Sequence, residues 1–166
     1  GQSAALLNSV GIGLTNVIFT YVGISLIDKL GRRSLMYIGS IGYIISLTLI
    51  SLSFILDWGG IVLPIFLFLF IASHAIGQGA IIWVYISEIF PNHIRSYGQS
   101  FGISTHWVLA AIIPSLIPFL FGSIGPGIVF GFFAFMMVLQ LIFTHFIMPE
   151  TKGVSLEDLS KKLIKD

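Results

Sequence analysis

The chain has 166 residues, of which 56% are hydrophobic and only 9% charged, with a formal net charge of +1 and a mean hydropathy of +1.02. A soluble domain of this size carries far more surface charge, and the near-neutral balance supplies no basic footprint for a nucleic acid. Cysteine is absent, which removes disulfides, thiolate metal sites and Cys nucleophiles together.

A membrane-spanning helix needs about 20 mainly apolar residues. Five stretches meet that requirement, at about 4–27, 35–56, 61–87, 97–121 and 128–148, and no Lys, Arg, Asp or Glu interrupts any of them. Soluble core helices would show a polar face at the 3.6-residue period, and these do not. The predicted fold is therefore an all-α membrane protein, with a transmembrane bundle over 1–148 and a polar tail over 149–166.

The first stretch contains Asn16, an amide with apolar neighbours on both sides that needs a partner from the bundle or from a ligand. A charged turn follows, Asp28-Lys29-Leu30-Gly31-Arg32-Arg33, in which Gly31 supplies the turn and Asp28 can cap the next helix or pair with an Arg. Such a cluster also serves simply to orient a membrane protein. The second and third stretches are joined by Asp57-Trp58-Gly59-Gly60, where Trp58 suits a membrane interface.

The third stretch holds His74, Gly77, Gly79 and Trp83. The two glycines weaken the helix where it lines a cavity, or else let two helices approach closely. Trp83 lies more than a turn inside Glu88, deeper than an interfacial anchor needs. Glu88 sits at the helix end where the macrodipole disfavours an anion. It needs a cation, and Arg95 is the nearest in sequence.

The fourth stretch carries His106 and Trp107, then Pro114 and Pro118. The turn at 122–127 leads into the fifth, which Pro149 ends because it has no N–H to donate. Glu150 stands at that helix end. In the tail, Ser155 can cap a short amphipathic helix, with Glu157 and Asp158 early, Lys161, Lys162 and Lys165 late, and an apolar stripe of Leu156, Leu159, Leu163 and Ile164.

All eight Lys and Arg residues fall in three segments, at 29–33, at 95 and at 152–165. Two membrane crossings separate each segment from the next, so all of them lie on one side. The positive-inside bias makes that side cytoplasmic, with the N-terminus extracellular or periplasmic and the C-terminus cytoplasmic. The chain begins at Gly1 rather than Met and has no signal-peptide pattern, so it reads as a fragment of a longer membrane protein.

The turn DKLGRR (28–33), the stretch WVYISEIFPNHIRSYG (83–98) and the tail PETKG (149–153) occur in this order. Together they resemble the sugar porter family of the major facilitator superfamily, the glucose-transporter-like proteins, over nearly the whole chain. The resemblance implies helices 8–12 of a twelve-helix transporter, with the N-terminal six-helix bundle and helix seven missing. It implies a sugar substrate (a hexose, pentose or polyol) carried by alternating access across the lipid bilayer. It leaves open whether a proton is co-transported, because the family's coupling carboxylate lies in the missing half. A non-transporting sugar sensor, or a transporter of another small organic solute, are the alternatives on the same fold.

By the same resemblance, Asp28, Arg32, Arg33, Glu88, Arg95 and Glu150 form a cytoplasmic gate between two bundles. Asn16 hydrogen-bonds sugar hydroxyls, and Trp83 packs against the sugar ring. His106-Trp107 replaces the family's usual Asn or Gln followed by Trp. The run Gly77-Gln78-Gly79-Ala80 lacks the prolines common there, so the break in this helix should be softer. His74 and Gly79 complete the candidate substrate set. No catalytic constellation, cofactor fingerprint or metal-binding cluster is visible, and no enzymatic activity is expected.

Overall fold

The structure, a computed structural model, describes residues 2–60, 62–155 and 157–159. Six helices follow one another: α1 (Gln2–Leu30), α2 (Arg32–Ile55), α3 (Val62–Ile76), α4 (Gln78–Ile89), α5 (Arg95–Ile124) and α6 (Pro126–Phe146). α3 and α4 are two halves of one crossing, so the helices make five candidate membrane spans. At 1.5 Å per residue, even the 21 residues of α6 extend about 32 Å, enough for a hydrocarbon core about 30 Å thick.

The helices run beyond the apolar stretches and into the charged turns. α1 continues through Asp28 and Lys29, and α2 starts at Arg32, leaving Gly31 alone as the turn. Gly31 has φ +89°, a conformation that L side chains rarely adopt. Gly125 (φ +83°) is likewise the whole link between α5 and α6, with Pro126 in the first turn of α6. α4 stops at Phe90, which takes an extended conformation (φ −94°, ψ 134°) because Pro91 follows it. α5 runs on through Pro114 and Pro118.

The α3–α4 break is confined to Gly77 (φ −91°, ψ −108°). The Gly77 N–H still donates to the Ser73 carbonyl, and the Ile81 N–H to the Gly77 carbonyl, both at 3.1 Å. With no proline in the run, no N–H is lost and the ladder survives on either side.

α2 is the centre of the bundle. It packs along α6 on one side and along α3 on the other, while α1 packs mainly on α3. Small residues allow this closeness: Gly39, Ser40, Ser46 and Ser51 are all buried on α2. The Ser51 hydroxyl donates to the Gly127 carbonyl of α6 at 2.6 Å. α5 differs from the rest, touching α4 and α6 along short stretches with none of its residues buried among the described ones.

Among the glycines, the tightest approach of one backbone to another is that of Gly39 to the break. A Cβ on Gly39 would lie 2.8 Å from the Gly77 Cα, and one on Gly77 would lie 2.6 Å from the Gly39 Cα. Gly39→Ala is expected to destabilise the bundle by about 1–3 kcal/mol through overpacking, read as a lower Tm in detergent. Gly13→Ala is the control: nothing lies within 4 Å of its Cβ, and in a helix interior Ala gains about 1 kcal/mol over Gly.

The cap expected at Ser155 forms: its hydroxyl accepts from the Asp158 N–H at 3.1 Å and donates to the Asp158 carboxylate at 2.7 Å. Leu159 is buried against the bundle. Leu156, Lys161, Lys162, Leu163, Ile164 and Lys165 of the expected amphipathic helix lie outside the described residues.

Candidate functional site

Two features stand out, a cavity at mid-depth and a polar network at the charged end. The cavity measures about 550 Å³ and is bounded by α2, α3, α4, α5 and α6. Tyr43 and His106 are each 11 residues from the charged end of their helices, about 16 Å along the axis and so near the membrane midplane. Its polar groups are Tyr43, His74, Gln78, Trp83, His106 and Gln140, and the remaining wall is mostly aliphatic and aromatic.

His74, Gly79, Trp83 and His106 therefore meet at one cavity, although 32 residues separate the first from the last. The Trp83 and His106 rings stand edge to face with centroids 5.0 Å apart. Behind them, the amides of Gln78 and Gln140 both donate to the Ser40 hydroxyl oxygen, at 3.4 and 3.2 Å. Tyr43 OH and His74 Nδ1 are 2.5 Å apart.

Asn16 and Trp107 do not line this cavity. Asn16 lies half-buried on α1, and its amide makes no hydrogen bond among the described residues. Trp107 is 62% exposed on α5, its ring against that of His106 at 5.5 Å. On a helix, consecutive residues point about 100° apart, so His106 and Trp107 cannot both face one cavity squarely. Sequence reading missed Tyr43 and Gln140 as lining residues, and treated Gln78 only as a missing proline. The rule that intramembrane polar residues mark sites points to Gln140 as readily as it does to Asn16.

At the charged end Glu88 is paired, but with Arg32 and not with the expected Arg95. The Arg32 guanidinium grips it bidentately, Nη2 at 2.8 Å and Nε at 3.1 Å. The Thr151 hydroxyl donates to the same carboxylate at 2.6 Å. Arg32 Nη1 reaches back to Asp28 at 2.9 Å and to the Ile27 carbonyl at 3.2 Å. Asp28 thus takes the Arg partner and leaves the cap of α2 to another residue.

That residue is Glu150. Its carboxylate accepts from the backbone N–H groups of Arg32 (3.0 Å) and Arg33 (3.1 Å), the first two of α2, and from those of Thr151 and Lys152 (both 2.9 Å). An anion there satisfies otherwise unpaired donors and lies at the positive end of the helix dipole. Glu150 makes no side-chain ion pair among the described residues, so it is a helix cap supplied from far along the chain and not a counter-charge. Gly31 makes room for it: a Cβ on Gly31 would lie 2.8 Å from the Glu150 carboxyl carbon.

Arg33 caps the opposite kind of end. Its guanidinium donates to the Thr144 carbonyl at 3.0 Å and to the His145 carbonyl, the last turn of α6. Arg95 is the exception in this network. Its Nε donates to the Phe90 carbonyl at 3.2 Å, and its Nη2 is buried with no partner among the described residues. It borders a pocket of about 420 Å³ with Ser87, Glu88, Thr151, Val154 and Leu159.

Residues 1–163 match the family described as "Sugar (and other) transporter". The chain is 38% identical to the arabinose-proton symporter of Bacillus subtilis (strain 168), covering 99% of this chain and 36% of that one. It is 39% identical to the glucose transporter GlcP of Staphylococcus epidermidis, covering 98% of this chain and 37% of the relative. It superimposes on the proton:xylose symporter XylE bound to 6-bromo-6-deoxy-D-glucose with a TM-score of 0.90 at 29% identity, over 99% of this chain and 36% of that one. Inward-open XylE from E. coli gives a TM-score of 0.87 at 29% identity, over 96% of this chain and 36% of that one. The chain thus spans just over a third of the length of these proteins. With its five apolar spans and its motifs in family order, it belongs to the sugar transporter family of the major facilitator superfamily, whose members are transporters and not enzymes.

Proposed function

We propose that this chain forms spans eight to twelve of a twelve-helix transporter that carries a sugar by alternating access. The observation that carries the reading is the mid-depth cavity in which Trp83 and His106 stand side by side. A flat indole covers the C–H face of a sugar ring while polar neighbours bond its hydroxyl rim, and a site near the midplane between two bundles is where such transporters bind. Relatives named for arabinose, glucose and xylose support a monosaccharide, and the two named as proton symporters support proton co-transport.

The charged end is the cytoplasmic end by the positive-inside bias. Within it, Arg32, Arg33, Glu88 and Glu150 are each held by at least two hydrogen bonds inside this bundle. Arg95 has charge left over, so it is the residue that latches onto the other bundle in the outward-facing state. Asn16 and Trp107, on the faces that α1 and α5 leave open, meet either the substrate or that bundle.

The test is uptake of labelled hexoses, pentoses and polyols by the whole transporter. Trp83→Ala is expected to raise KM about tenfold, from roughly 1.5 kcal/mol of lost aromatic contact, with surface expression unchanged. Failure of every sugar, together with no effect of Trp83→Ala on any transported solute, refutes the reading.

A further inference from the structure

Tyr43 belongs to no motif in the sequence, yet it is the residue that fixes His74. Its hydroxyl is 2.5 Å from His74 Nδ1, and the two rings lie 6.0 Å apart across the α2–α3 interface. With Nδ1 engaged, the ring cannot turn. The other nitrogen, Nε2, has no protein partner among the described residues, and it is not among their buried unpaired atoms. It lies beside Gly79, where a Cβ would come within 3.0 Å of it. The absence of a side chain at Gly79 thus leaves Nε2 clear on a wall that both residues help to form.

We propose that Tyr43 is a positioning residue that holds His74 so that Nε2 reads a single hydroxyl of the substrate. The proposal rests on the sugar-transport reading above. Neutral imidazole has one donor and one acceptor nitrogen. If the Tyr43 hydroxyl donates to Nδ1, Nε2 carries the proton and donates to the sugar; in the other tautomer Nε2 accepts. A hydroxyl is both donor and acceptor, so it completes either arrangement. An ether oxygen completes only the first, and a C–H group neither. The dyad therefore discriminates against sugars that are deoxy at the position it reads.

The alternative is that the pair merely ties α2 to α3. Side-chain length separates the two roles, because the amide of Gln reaches about as far as Nε2 whereas that of Asn reaches only to Nδ1. The experiment measures uptake KM and Vmax in the whole transporter for its best sugar and for each monodeoxy analogue of that sugar. The variants are His74→Asn, His74→Gln, Tyr43→Phe and the Tyr43→Phe/His74→Asn double.

His74→Asn is expected to raise KM about 3- to 10-fold, the worth of one neutral hydrogen bond, with Vmax unchanged. His74→Gln should stay within about twofold of wild type, well under the tenfold that 1.4 kcal/mol represents. Tyr43→Phe should raise KM as His74→Asn does, and the double variant should be no worse than either single. For one monodeoxy analogue, and only one, His74→Asn should have no effect. A wild-type KM in His74→Asn, or an equal loss for every analogue, overturns the role of Nε2 and leaves a structural tie. A wild-type transporter that moves no sugar overturns the transport reading and this proposal together.

Discussion

Arg32→Ala is expected to lower the stability of the bundle by about 3 kcal/mol, whereas Arg95→Ala should change it by no more than about 1 kcal/mol. Removing one partner of a buried ion pair costs about 3–5 kcal/mol because the other charge is left uncompensated. The low end applies here, since the Glu88 side chain keeps 20% of its exposure and the Thr151 hydroxyl as a donor. Arg32→Lys should fall between, because an ammonium keeps the charge but cannot match the two carboxylate oxygens bidentately. Among the described residues Arg95 has only one hydrogen bond to lose, to the Phe90 carbonyl. Its effect should appear in conformation. In the whole transporter, Arg95→Ala should raise the reactivity of cysteine probes at the charged end, as the latch opens toward the inward-facing state. Thermal unfolding in detergent and probe labelling separate the two roles. Equal loss of stability in both variants, or unchanged labelling in Arg95→Ala, would contradict this assignment.

Glu150→Ala is expected to destabilise by about 2–3 kcal/mol, more than an ordinary cap at roughly 1 kcal/mol, because the acceptor is charged and serves four N–H groups. Glu150→Gln is not a conservative change here. One carboxylate oxygen faces the N–H groups of Arg32, Thr151 and Lys152, and the other faces that of Arg33. An amide places an acceptor on one side and a donor against a donor on the other, so about half of the loss in Ala should remain. If Glu150 instead neutralised the side chain of Arg33, the effects of Arg33→Ala and Glu150→Ala would overlap. Because the Arg33 guanidinium goes to the α6 carbonyls, the two losses should add in the double variant to within about 0.5 kcal/mol.

These two predictions mark where sequence reading stopped. Glu88 was assigned to Arg95 because seven residues separate them, whereas its partner Arg32 lies 56 residues away. The helix end at Phe90 and the turn after Pro91 start α5 so that the Arg95 Nε is held by Phe90. Meanwhile α2 brings Arg32 in beside α4. The same applies to Glu150, which the family resemblance placed among the charged groups of the cytoplasmic gate. Its oxygens are in fact met by backbone N–H groups from a helix that begins 118 residues earlier.

The cavity was legible in part. His74, Trp83 and His106 stood out because polar and aromatic groups in apolar stretches need a reason to be there, and the family resemblance added Gly79. The same rule singled out Asn16, which does not line this cavity, and passed over Tyr43, because it says which residues are costly in a membrane and not which way a helix is rotated. Rotation is set by packing, here by Gly39 against Gly77 and by Ser51 against Gly127.

What the sequence alone determined is the number of spans, their alternation and the gathering of the described basic residues at one end. Those properties follow from how each segment partitions between water and lipid, a local quantity that composition records. What only the tertiary structure decided is which polar groups meet: Arg32 with Glu88, Glu150 with the start of α2, and Tyr43 with His74. Such pairs depend on the depth and rotation at which whole helices lock together. That is the sum of many close contacts between small residues, and no single stretch of the chain carries it.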